Sequence, residues 1–257
     1  MAGLSDTRLS VISEGETREI AVLSRAGGTP GLFWLGGFRS EMTGSKATAI
    51  DAFGAAEGLM VTRFDYSGHG KSGGTFRDGT ISRWLAEALA VFATISGPQI
   101  VIGSSMGGWL ALLLNRAVRA LGSQRVKALI LVAPAVDMTE DLMRAGFTPE
   151  DFDALATRGQ IERPSAYAAE PDIITARLIE DGARHLLFGG AIDTGCPVTI
   201  LQGGEDHDVP QEQALKLVSR LLSDPVTLTI VPDGDHRLSR DADLQLLTDA
   251  VRRAIEE

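Results

Sequence analysis

The residue order predicts an α/β protein with a mostly parallel central sheet and helices on both faces. Three observations carry that expectation. Short, solidly apolar runs alternate with longer amphipathic stretches, as they do when strands buried on both faces are joined by crossover helices. One run, Ile100-Val101-Ile102, ends in Gly103-Ser104-Ser105-Met106-Gly107, and a helix-forming run follows at once. Only the opening segments read otherwise: they flank Glu14-Gly15-Glu16 and predict an antiparallel hairpin at one sheet edge.

The elements follow in order. The hairpin strands are expected at 9–13 and 18–23. Residues 31–35 form a continuous apolar strand closed by Gly36-Gly37-Phe38. Residues 46–57 are helical, with Ala49, Ile50, Phe53 and Ala56 on one face. A strand spans 59–64. Thr80 or Ser82 caps a helix carrying Trp84, Leu85, Ala88, Leu89 and Phe92. The helix after Gly108, over 109–121, is apolar nearly all round at its start, which places it under the sheet centre. Strands are expected at 126–132, 198–202 and 226–231, with helices at 211–222 and 241–255. The interval 134–195 holds no convincing strand; 137–145, 149–157 and 173–186 read as short helices. An insertion where strands end is where a lid sits. The expectation is therefore one domain over 1–257, with 137–192 as a small helical cap.

Composition narrows the function classes. A formal net charge of −10 argues against nucleic acid or an anionic membrane surface as partner. The single cysteine, Cys196, allows no internal disulfide and fits a reducing compartment. Residues 1–8 lack the apolar core of a secretory signal, and no window reaches the roughly eighteen consecutive apolar residues of a membrane span. A soluble, cytoplasmic protein is expected.

Gly-x-Ser-x-Gly between a strand and a helix is the pattern of a nucleophile elbow. Ser105 would sit at the apex in a strained conformation. Gly103 and Gly107 flank it because a Cβ there would strike the neighbouring strand or helix. The Met106 N–H would face a developing oxyanion. A serine hydroxyl needs a base, and the base an orienting acid. In a parallel sheet both must lie past the carboxyl ends of strands. His69, His185, His207 and His236 compete; only His236, after the last strand, follows both the serine and the acid candidates. Asp137, Asp206 and Asp208 compete as the acid. Asp206 is favoured by Gly203-Gly204-Glu205-Asp206-His207-Asp208-Val209-Pro210, in which the aspartate lies in the loop and Val-Pro leads to the next helix. Gly36-Gly37-Phe38 is placed to supply a second oxyanion donor, the Phe38 N–H.

At this point the chain resembles the α/β-hydrolase superfamily along nearly its whole length. Asp65-Tyr66-Ser67-Gly68-His69-Gly70-Lys71-Ser72 is similar to that family's structural Asp-x-x-Gly-x-Gly-x-Ser loop, and Gly36-Gly37 stands where the family usually has His-Gly. A nearer likeness is to the mitochondrial abhydrolase-domain-10 proteins, palmitoyl-protein thioesterases and acyl-glucuronide esterases, and their bacterial relatives. It is carried by Gly37-Phe38-Arg39-Ser40-Glu41-Met42-Thr43-Gly44-Ser45-Lys46-Ala47, Arg63-Phe64-Asp65-Tyr66-Ser67-Gly68, Asp235-His236-Arg237 and Asp241-Ala242-Asp243-Leu244-Gln245-Leu246-Leu247. The resemblance implies an α/β-hydrolase fold and hydrolysis of a small-molecule acyl ester or thioester by Ser105, Asp206 and His236, with no cofactor and no metal.

Three rivals stand beside it. Gly68-His69-Gly70-Lys71-Ser72 imitates the end of a phosphate-binding loop, but Asp65 occupies the position that needs glycine. The Asp206-His207-Asp208 and Asp233–His236 stretches could ligate a metal. A non-catalytic ligand-binding protein on the same fold is the third. Leu142, Met143, Phe147, Phe152 and Leu155 either line an acyl pocket or form the cap's own core, and Trp109 and Tyr167 are equally open.

Overall fold

The structure is a computed structural model that describes residues 3–163 and 171–256. Its strands and helices, in chain order, begin with β1 (Leu4–Ser13), β2 (Glu16–Arg25), β3 (Gly28–Leu35), α1 (Ser45–Glu57), β4 (Leu59–Phe64) and α2 (Ile81–Thr94). The elbow region follows as β5 (Gln99–Ser104), α3 (Met106–Ala120) and β6 (Val126–Val132). An inserted stretch holds α4 (Pro149–Arg158), β7 (Gln160–Arg163), β8 (Asp172–Thr175) and α5 (Ala176–Gly182). The chain then returns to the sheet with β9 (Val198–Gly203), α6 (Gln211–Val218), β10 (Val226–Val231) and α7 (Asp241–Glu256).

Eight strands form the central sheet in the order β1-β2-β4-β3-β5-β6-β9-β10. The β1–β2 and β2–β4 pairs are antiparallel and the remaining pairs are parallel. Helices cover both faces. On one, Trp84 of α2, Trp109 and Leu110 of α3 and Leu217 of α6 pack on Phe33, Val101 and Leu129. On the other, Ile50 and Phe53 of α1 and Leu247 and Val251 of α7 pack on Leu32, Ile100 and Ile130. The central strands therefore bury residues of both parities, which is why they read as solid apolar runs rather than alternating ones.

Thr80 is the cap of α2: its side chain accepts from the Arg83 N–H at 3.1 Å. The elbow helix starts at Met106, earlier than expected, because Ser105 itself is its N-cap. The helix expected over 211–222 ends at Val218, where the chain turns so that Leu221 is buried and Leu222 exposed.

The insertion between β6 and β9 departs most from expectation. It is not strand-free: β7 and β8 form a two-stranded antiparallel sheet. Each has four residues, of which only Ile161 and Ile174 are buried. Such strands are too short and too polar to register as apolar runs. The helix expected over 173–186 shrinks to α5, because Ile173 and Ile174 belong to β8 and Thr175 caps the turn by accepting from the Leu178 N–H at 3.1 Å. The stretch expected as a helix over 137–145 is a π turn, Thr139–Met143, followed by a 3-10 turn, Arg144–Gly146. Ala154, Ile161, Ile174 and Ile179 form a small separate core, joined by Met143, Phe147 and Leu155. Leu142 packs on the main core, Phe152 is largely exposed, and Trp109 is fully buried. Tyr167 lies outside the described residues.

Candidate active site

The site is assembled from the loops that leave the carboxyl ends of β3, β5, β9 and β10. Ser105 follows β5 with φ 56° and ψ −121°. The close approach that allows this depends on glycine. A Cβ on Gly103 would lie 2.2 Å from the Gly107 carbonyl oxygen, and one on Gly107 would lie 2.1 Å from that of Leu35. The Ser105 N–H donates to the Val132 carbonyl at 2.8 Å, which fastens the apex to the next strand.

His236 and Asp206 meet this serine. His236 Nε2 lies 3.1 Å from Ser105 Oγ, and its Nδ1 lies 2.8 Å from Asp206 Oδ2. The Asp206 side chain is fully buried, while His236 is about one-sixth exposed (17%). Asp206 Oδ1 accepts from the N–H groups of Asp208 at 3.0 Å and Val209 at 2.8 Å, and Gln202 Nε2 donates to Oδ2 at 3.2 Å. A buried carboxylate so surrounded is held in one orientation and stays satisfied without a cation.

The other candidates go elsewhere. The Asp137 carboxylate accepts from the Leu187 N–H at 2.8 Å and the Phe188 N–H at 2.8 Å, so it pins the insertion rather than a histidine. Burial outweighs those bonds and raises its carboxyl above the ordinary carboxylate range. His185 is partly buried away from Ser105: its Nε2 is 2.7 Å from Ser82 Oγ, and that hydroxyl donates to Asp181 at 2.8 Å. His69 is buried, and burial pushes its pKa down to about 4. It is therefore neutral, with Nδ1–H donating to the Ser67 carbonyl and Nε2 accepting from the Arg39 N–H, each at 3.1 Å.

That last bond holds the loop after β3. Gly37 lies against Ser105: a Cβ on it would sit 3.2 Å from the serine Cβ. Among the described residues the Phe38 N–H finds no acceptor, and the Met106 N–H, first in its helix, has none within the helix. Asp65 carries the loop further along. Its Oδ1 accepts from the Met42 N–H at 2.6 Å and its Oδ2 from the Lys71 N–H at 2.8 Å. Ser72 Oγ donates to the Asp65 carbonyl at 2.6 Å and accepts from the Ala21 N–H at 2.8 Å. The phosphate-loop rival ends here: Gly70 packs on the Asp65 carboxylate, which a Cβ would meet at 2.2 Å.

The metal rival is limited by the same geometry. Asp206, Asp208 and His236 each offer a donor atom within 4.8 Å of the others. Yet both Asp206 oxygens already accept hydrogen bonds, and His236 is divided between Asp206 and Ser105. A cation there would have to displace those contacts.

Sequence reasoning missed the strain that gathers here. Six non-glycine residues with positive φ occur among the described residues. Glu14 turns the hairpin; Arg39, Ser105, Ala133, Asp137 and Leu238 all sit in loops leaving the carboxyl edge of the sheet. Strained backbone concentrates at functional sites, but only Ser105 stands in a motif that announces it.

A serine on a strand-to-helix elbow of a parallel sheet, bonded to a histidine and through it to an aspartate, defines the class of α/β hydrolases. The chain belongs to the alpha/beta hydrolase family, whose model matches residues 22–247. It is 34% identical to the mouse (Mus musculus) mitochondrial palmitoyl-protein thioesterase ABHD10 over 241 residues, covering 93% of this chain and 80% of that protein. A crystal structure of a putative hydrolase from Agrobacterium vitis S4 superposes with a TM-score of 0.96 at 47% identity, over 98% of this chain and 99% of the other. The structure of mouse alpha/beta hydrolase domain-containing protein 10 gives 0.85 at 32% identity, over 99% of both chains. Among the described residues no helix is long and apolar enough to cross a membrane.

Proposed function

We propose that this chain hydrolyses small-molecule carboxylic esters or acyl thioesters through an acyl-enzyme on Ser105. The observation that carries the reading is the unbroken line of contacts from Ser105 Oγ to His236 Nε2 at 3.1 Å and from His236 Nδ1 to Asp206 at 2.8 Å. His236 takes the Ser105 proton as the oxygen attacks the acyl carbonyl, and Asp206 holds the imidazole and stabilises its cation. The N–H groups of Phe38 and Met106, both without an acceptor among the described residues, receive the oxyanion. Each such donor typically lowers the barrier by about 3 kcal/mol. The imidazolium then protonates the departing alcohol or thiol. Water, deprotonated by His236, attacks the acyl-enzyme, and Ser105 leaves with the proton restored.

The reading treats 1–257 as one domain and 137–192 as a cap over the site. The thioesterase name of the mouse relative supports including thioesters. A reducing compartment such as the cytoplasm suits the lone, buried thiol of Cys196, which burial pushes up to about 11.

A fluorophosphonate should label Ser105, and a panel of p-nitrophenyl esters and acyl thioesters of graded chain length should be turned over. Ser105→Ala should reduce turnover of the whole panel by roughly five orders of magnitude or more while the protein stays folded. An unlabelled Ser105, as in a binding protein without turnover, or a Ser105→Ala protein as active as wild type, overturns the proposal.

A further inference from the structure

The loop that carries Phe38 runs directly into α1, and the second residue of α1 is Lys46. Its ammonium does not point into open solvent. It donates to the carbonyl of Arg237, the residue next to His236. The two segments are 191 positions apart in sequence. The loop near residue 236 is shaped by the Gly234 N–H donating to the Val231 carbonyl at 2.9 Å, the Glu205 N–H donating to the Gly234 carbonyl at 2.9 Å, the Leu238 N–H donating to Asp235 Oδ1 at 2.9 Å and Leu238 at φ 42°, and Ser239 Oγ donates to the same Arg237 carbonyl at 2.9 Å. His236 and Arg237 lie between these fixed points.

We propose that Lys46 is a positioning residue for His236: by clasping the Arg237 carbonyl it ties the loop of the base to the loop of the oxyanion donor and keeps the imidazole in reach of Ser105. The inference rests on His236 acting as the base. It makes Lys46 a part of catalysis that touches no reacting atom.

The surroundings indicate that this lysine is not there for stability. Desolvation by burial lowers its pKa to about 8, helped by the nearby Arg237 and opposed by Asp235, Asp243 of α7 and Asp206 after β9. The sign follows. Between about 8 and the usual 10.5 the unfolded chain binds this proton more tightly, so this group's contribution to stability rises with pH across that window. Below about 8 the folded protein holds the charge at a full disadvantage. A methionine of similar length removes the buried charge and should not lower the melting temperature.

The test compares wild type, Lys46→Met and Lys46→Arg on a p-nitrophenyl ester, with His236→Ala alongside. Lys46→Met should lower kcat by about tenfold or more, since a small misplacement of a catalytic group has that scale, with KM little changed and the melting temperature at pH 7 undiminished. Wild-type kcat should fall as pH rises through about 8, where the charge-assisted bond is lost; that limb should be absent from Lys46→Met. Lys46→Arg, charged throughout, should recover part of the rate and carry it to higher pH. A Lys46→Met kcat equal to wild type, a loss that simply follows a lowered melting temperature, or an alkaline limb that persists in Lys46→Met overturns the inference. The two readings fail separately. Wild-type turnover by His236→Ala removes the base assignment, and the role of Lys46 with it. An inactive His236→Ala beside a fully active Lys46→Met removes only the role of Lys46.

Discussion

Asp137 and Asp206 begin from nearly the same place. Each is a buried carboxylate in a loop just past a central parallel strand, β6 for one and β9 for the other, and each accepts two backbone N–H groups. Their remaining partners separate them. Asp206 adds His236 Nδ1 and Gln202 Nε2. Asp137 turns its carboxylate onto residues 187 and 188 and holds the insertion against the sheet. Position at a strand end therefore qualifies a carboxylate for a site without assigning it one. The groups that use its lone pairs make the assignment.

Asparagine at each position is the sharpest way to break this comparison. Asp206→Asn should lower kcat by roughly ten-thousand-fold, because the amide favours the wrong imidazole tautomer. Asp137→Asn should leave kcat close to wild type and destabilise the fold by about 1–3 kcal/mol, the usual penalty for an ill-matched buried acceptor. Steady-state kinetics with urea unfolding reads both, and a larger kcat loss at 137 would move the orienting acid to β6.

A smaller effect lies in pH. Burial raises the Asp137 carboxyl in the folded protein, so the native state binds that proton more tightly than the unfolded chain. Stability from this group is then greatest at low pH and declines as pH climbs from the ordinary carboxylate range through the raised native value. Subtracting the Asp137→Asn unfolding profile from that of wild type should expose the decline; a difference that grows with pH across the window would contradict it.

The smallest effect concerns a third carboxylate. Asp172 of β8 receives Arg39 Nη1 at 2.8 Å, linking the insertion to the Phe38 loop, and Arg39 also donates to the Pro171 carbonyl at 2.7 Å. Both side chains are about a quarter exposed (26% and 29%). Asp172→Asn should shift stability by less than about 1 kcal/mol and leave esterase kcat nearly unchanged. A large kcat loss would mean that the insertion governs the Phe38 loop.

How far the sequence could be read follows from the range of the interactions involved. The strands from β3 to β6 are legible because burial on both faces makes them solidly apolar. The elbow is legible because its glycines are demanded by backbone contacts that no other residue survives. His236 stands out because chain order leaves few rivals, and Asp206 because its loop reads Gly-x-x-Asp-x-x-Val-Pro. β7 and β8 are hidden: four residues with one or two isoleucines among polar and charged ones match a polar loop as well as a strand. Asp137, His69 and Lys46 are hidden for another reason. Each works through a backbone group supplied from 30 to 191 positions away, and no local pattern records such a partner.

The Asp65 carboxylate has one further implication. It accepts from the Met42 N–H while the Asp65 carbonyl is joined through Ser72 to Ala21 of β2, although β2 lies three places along the sheet from β5. The outermost antiparallel ribbon is thus tied to the loop that carries Phe38. The chain's opening strands are thereby coupled, through side chains rather than through the sheet alone, to a loop beside Ser105.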